Sequence, residues 1–174
     1  VEVVVETSFP SQREPRRPEY VVGVDGSLAS VAAARWAADR AVRDGALLTV
    51  VHAYAVPSVP SVAGPIRTPA FRRMARQDAE RLLRSVVKQL PAVSELQQQA
   101  EEGAADRILL EHSERSNLLV LGARPRHNHP HARFIGSTAA RCLRGAQCPV
   151  VVVPGESFEA PTTAPGTADK SKAH

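Results

Sequence analysis

"LLVLGARPRHNHPHARFIGSTAARC", Leu118 to Cys142, is the stretch on which the fold turns. Its opening, "LLVLG", is a short apolar run ended by a glycine, the pattern of a strand buried on both faces. Its close, "GSTAARC", sets glycine, serine and threonine ahead of a helical pattern, as a helix start does. Between them lies a basic loop with Arg124, Arg126 and Arg133, alternating His127, His129 and His131, and Pro125 near its start. Strand, loop and helix start make half of a parallel α/β unit. The same arrangement holds phosphate in many proteins, because bare N–H groups at a helix start attract anions.

Working outward, the unit repeats. Upstream, "YVVGVDGS" is an apolar run from Tyr20 stopped by Asp25-Gly26-Ser27. Ser27 or Ser30 can cap the helix "SVAAARWAADRAVRDG", with Val31, Ala34, Ala38 and Ala41 on one face and Gly45 placed to end it. "LLTVVHAYAV" (47–56) is a second buried strand, and the prolines from Pro57 to Pro69 forbid regular structure after it. From Ala70 to Leu90, Phe71, Met74, Asp78, Leu82, Val86 and Leu90 recur at helical intervals, Asp78 being the one polar break. "SELQQQAEEG" has poor strand propensity, and its neighbours alone make it a strand. "AADRILLEHSERS" is a short helix with Ile108 and Leu109 inward. Downstream, "CPVVVVP" is a last strand.

The order β-α-β-α-β-α-β-α-β predicts a doubly wound, Rossmann-like α/β fold: a five-stranded parallel sheet with helices on both faces. If the chain winds outward from the first strand and returns to its other side, the strand order is 3-2-1-4-5. Ligands bind such sheets beyond the strand carboxyl ends, where the order reverses. That point falls between the first and fourth strands, whose ends carry Asp25 and Gly122. Residues 1–18, ending in "SFPSQREPRRPE", read as an extended leader, 19–154 as the domain, and 155–174 as a disordered tail.

Composition narrows the function classes. The chain has 174 residues, 43% of them hydrophobic, enough for one domain with a real core. No apolar run approaches the roughly 18 residues that span a bilayer, and the opening "VEVVVETSFP" has no secretory pattern. Two cysteines are too few for a disulfide framework, so a reducing cytoplasm is expected. The net charge of +4 is scattered and aromatics are only 4%, which argues against specific nucleic-acid binding.

"VVGVDGS", "VVHA", "EEG", "LLVLGAR", "GSTAARCL" and "CPVVVVP", taken together and in this order, resemble the universal stress protein family, single-domain type. The resemblance runs from about Tyr20 to Pro154. It implies the fold above, a homodimer through the last strand, and a regulatory role in the stress response. The family has ATP-binding and non-binding branches. The binding branch carries Gly-x2-Gly-x9-Gly-Ser/Thr, and here Gly122 and Gly136-Ser137 match it. Pro125 stands where the second glycine would, and ten residues rather than nine separate it from Gly136. Carried over residue by residue, the nucleotide contacts are Gly23, Val24 and Asp25, the adenine-facing backbone at Ala53, and Leu121, Gly122, Arg124, Gly136, Ser137 and Thr138.

Each of these residues also has a plainer reading. Asp25 suits a turn, Gly136 to Thr138 suit a helix cap, and the loop arginines suit a solvated surface. His52 reads as a satisfied core histidine and Trp36 as helix packing. His127, His129 and His131 could hold a metal, but Pro130 and a spacing unlike zinc motifs favour a surface tract, and no metal is assigned. There is no P-loop lysine motif, no nucleophile elbow, and no acidic partner for magnesium beyond Asp25. The expectation is therefore not an enzyme but a cytoplasmic module binding ATP, with Mg at most at Asp25, at an affinity weakened by Pro125. The alternative is a universal stress protein without nucleotide, acting as a protein-interaction or structural module.

Overall fold

The structure, a computed structural model, describes residues 3–5, 17–60, 62, 64, 66–123 and 135–155. Valine-rich runs form the centre of the sheet. Val21, Val22 and Val120 are fully buried, because helices cover both faces of the strands that carry them. These strands are β2 (Glu19–Gly23), β3 (Leu47–Tyr54), β5 (Leu118–Ala123) and β6 (Val150–Pro154), with β4 (Leu96–Glu102) beside β3. They are parallel throughout, in the spatial order β4-β3-β2-β5-β6, which is the expected 3-2-1-4-5. Val22 lies between Val50 on one side and Val120 on the other.

Helix α1 (Leu28–Asp44) begins where Ser27 Oγ accepts the Ser30 amide and stops at Gly45, whose φ of 62° is left-handed. Its inward face is alanine: Ala33, Ala34, Ala37 and Ala38 are fully buried, so its backbone rides close to the sheet. Val31, expected on that face, is only half-buried. With α2 (Pro69–Val87), α1 covers the face bearing Val22, Leu48 and Val50. Trp36 packs against this layer. Helices α3 (Ala105–Ser113) and α4 (Ser137–Gly145) cover the other face, over Val21, Val51, Leu119 and Leu121. Ile108 and Leu109 point into it. Among the described residues no helix is long and apolar enough to cross a membrane.

Two elements differ from the sequence reading. The buried seam of α2 is Ala79, Leu83 and Val86, while Met74 is half-exposed. The expected stripe would have driven Asp78 into the core; the helix is turned so that Asp78 reaches Arg81 at the surface instead. The leader also contributes a strand, β1 (Val3–Val5), which pairs antiparallel with β6 through Val3–Val152, Val4–Val151 and Val5–Val150. The last parallel strand is therefore not an open edge. Valine's β-branched side chain favours extended backbone, which accounts for the strand but not for its partner.

Candidate functional site

The carboxyl ends of β2 and β5 lie side by side where the winding reverses, and a cleft of about 310 Å3 opens there. Such a volume is at the small end of ligand pockets, roughly 300–1,000 Å3, and would take a nucleoside-sized group. Strand ends supply its floor: Gly23, Val24 and Asp25 from β2, Val51 and Ala53 from β3, Leu121 and Gly122 from β5. The start of α4, Gly136 to Ala139, forms one wall, while Ser27 and Ser30 of α1 and Ala105 and Leu109 of α3 complete it.

Asp25 is exposed at the mouth and already has local work. Its Oδ1 accepts the Ser27 amide at 3.0 Å, closing the turn at Gly26, whose φ is 81°. Ser30 Oγ donates to the Ser27 carbonyl at 2.9 Å and accepts the Asp25 amide at 3.3 Å. Turn and cap are thus one hydrogen-bonded unit, and it holds the carboxylate at the cleft. Asp25 is the one ionisable side chain among the described residues lining it.

Gly122 is a glycine for a reason independent of any ligand. A Cβ there would stand 2.6 Å from the carbonyl carbon and oxygen of Ala29 and 2.8 Å from the Ser30 nitrogen. The first turn of α1 fills that space, and backbone cannot swing aside. At Gly23 the neighbours would be the tips of Leu109 and Leu121, at 2.9 and 3.0 Å.

The electrostatics come from helix ends. Both α3 and α4 begin on the cleft, but the first turn of α3 carries Asp106, whose carboxylate accepts backbone N–H groups there, whereas α4 starts at Gly136 with no side-chain cap and no acidic residue. An uncapped start presents free N–H groups and roughly half a positive charge. Arg141 on α4 donates to Asp106 in the first turn of α3, and that hydrogen bond holds the Asp106 carboxyl below its ordinary range. His52 lies behind the floor, where its Nδ1 meets the Val24 carbonyl at 2.7 Å. In that contact the imidazole carries its proton on Nδ1.

The structure brings Gly23, Val24, Asp25, Ala53, Leu121, Gly122, Gly136, Ser137 and Thr138 to this one cleft. Arg124 lies outside the described residues, as do Pro125, Arg126, Arg133, and His127, His129 and His131. Among the described residues no three His, Cys, Asp or Glu side chains gather as a metal site would need. Sequence reasoning did not name Ser27, Ser30, Val51, Ala105, Leu109 or Ala139 as lining residues. In sequence the serines read as caps and Leu109 as core, and no motif marks Ala105.

The model of the Universal stress protein family matches residues 20–154. The chain belongs to that family. Universal stress protein Rv2623 of Mycobacterium tuberculosis H37Rv is 32% identical over 138 residues, 79% of this chain and 46% of that protein. The chain spans about half the length of the curated relatives it matches. Among solved structures, UspA from Lactobacillus plantarum superposes with a TM-score of 0.60 at 24% identity, covering 80% of this chain and 99% of that one. A universal stress protein in complex with cAMP gives 0.59 at 22%, covering 80% and 98%. At such identities the likeness is one of fold.

Proposed function

We propose that this universal stress protein is a cytoplasmic regulatory module that binds an adenine nucleotide, ATP foremost, without turning it over. The observation that carries the reading is the convergence, on the cleft where the sheet reverses, of the uncapped start of α4, which has no acidic residue in its first turn, and a floor of strand-end residues. The α4 start suits the phosphates. The floor between Ala53 and Leu121 suits the flat base, and Asp25 suits a ribose hydroxyl as donor to its carboxylate. The cAMP bound by a neighbour of the same fold supports the choice of adenine. Any Mg accompanying ATP would meet Asp25, the one carboxylate on the cleft among the described residues.

Binding is favoured over turnover because, among the described residues, the hydroxyls and the carboxylate on the cleft form no nucleophile–base pair, and His52 is engaged with Val24. The regulatory output is a homodimer formed through β6. Pro125 favours the second reading, a family member whose phosphate loop no longer takes nucleotide, because proline lacks the N–H a cradle would offer. Mass spectrometry of small molecules released from freshly purified protein tests the two readings. Adenine nucleotide is expected. Its absence, together with no calorimetric signal at millimolar ATP, would leave the interaction module.

A further inference from the structure

The two edges of the five parallel strands are finished differently. The β4 edge is polar, with Gln97, Gln98 and Gln99 in sequence, which discourages pairing with a stranger. The β6 edge is valine from Val150 to Val153, and β1 lies along it. β1 is only three residues long, and no helix shares a substantial contact with it.

Two features of this pairing go beyond a covered edge. β1 runs antiparallel to β6, the sense a two-fold axis imposes on two β6 strands placed side by side. Its sequence, "VVV" at Val3–Val5, repeats the valine run of β6 itself. β1 therefore has the place, direction and composition of a second copy's β6.

We propose that β1 is an intramolecular substitute for that second copy: β1 and the β6 strand of another chain compete for one edge, and the leader sets how readily the chain pairs with itself. The inference rests on the β6 dimer put forward above. One row of N–H and C=O groups cannot serve two strands, so a dimer forms only from chains whose β1 has left. Both chains must open, and the apparent dissociation constant rises as the inverse square of the open fraction. An open fraction of about one in ten weakens the dimer roughly a hundredfold.

Sedimentation equilibrium of the full chain, from micromolar to hundreds of micromolar, tests this with two variants. Val4→Pro removes an N–H and fixes φ, which a three-residue strand cannot absorb. Val4→Thr keeps a β-branched side chain and serves as the control. The Val4→Pro dimer should be tighter than wild type by about tenfold or more, and Val4→Thr should stay within about twofold. Equal constants for wild type and Val4→Pro would overturn the competition and leave the dimer standing. A weaker Val4→Pro dimer would also overturn it, by showing that β1 helps assembly. If all three remain monomers, the dimer falls and the inference falls with it. Amide exchange at Val150–Val152 in dilute monomer gives an independent check: protection in wild type should be lost in Val4→Pro, and unchanged protection counts against β1 on that edge.

Discussion

A Cβ on residue 122 would be 2.6 Å from the backbone of Ala29, and the fold resolves that conflict by having none. Gly122→Ala should push the first turn of α1 outward at a cost of about 1–3 kcal/mol, the usual size for an overpacked site. Urea unfolding checks it, and an unchanged midpoint would show that α1 is free to ride up. At Asp25, substitution separates the observed turn role from the proposed ligand role. Asn keeps the acceptor for the Ser27 amide and drops the charge, whereas Ala drops both. Asp25→Asn should therefore melt like the wild type, while Asp25→Ala loses about 0.5–2 kcal/mol, as a lost cap does. Both should abolish nucleotide binding; an Asn variant that binds normally makes Asp25 a turn residue and nothing more. Cys142 adds an alkaline signature. Burial pushes its thiol up to about 11, against about 8.5 in an unfolded chain. Its contribution to stability is whole below the unfolded value and declines as pH climbs between the two. Cys142→Ala should lose that part of the alkaline decline in melting temperature, and an unaltered profile would assign the decline elsewhere.

At the scale of elements, the stripe expected on α2 packs through Leu82, Val86 and Leu90, but the fully buried seam is rotated onto Ala79 and Leu83 and leaves Met74 outside. The seam through Ala79, Leu83 and Val86 predicts that Leu83→Ala costs about 2–5 kcal/mol and Met74→Ala under about 0.5. Equal losses in chemical denaturation would put Met74 back on the buried face. The periodic stripe contains Asp78, and the cost of burying an unpaired carboxylate outweighs regular spacing. What could be read from sequence was local. The Ser27 cap, the Gly45 stop and the buried valine runs each carry their signal within a few residues. The pairing of β1 carries none, because its partner is at the other end of the chain. The cleft divides the same way. Its floor was legible because strand ends at a reversal must converge. Ala105 reaches it only because α3 packs beside α4, a tertiary fact without a motif.

For the whole molecule, ligand and fold are linked, so a weak site can be measured as stability. On the proposed nucleotide reading, proline at position 125 in place of the second loop glycine would remove one charge-assisted hydrogen bond, worth about 1.5–3 kcal/mol, or roughly ten- to a hundredfold in affinity. Applied to a micromolar nucleotide site, that leaves a dissociation constant of tens to hundreds of micromolar. A ligand at about a hundred times its dissociation constant stabilises the native state by about 2.7 kcal/mol. For a domain of this size each kcal/mol moves the melting temperature by about 2–4 °C. Saturating ATP should therefore raise it by roughly 5–10 °C. Pro125→Gly should reach the same rise at a lower concentration, about tenfold or more, because glycine restores the N–H and the freedom of φ. Asp25→Asn, which keeps the turn, should show no rise. GTP serves as the control for the base, since it would present a different edge to the proposed Ala53–Leu121 floor. A wild-type melt indifferent to millimolar ATP, with Pro125→Gly equally indifferent, would remove the nucleotide and leave the chain to act through its partners alone.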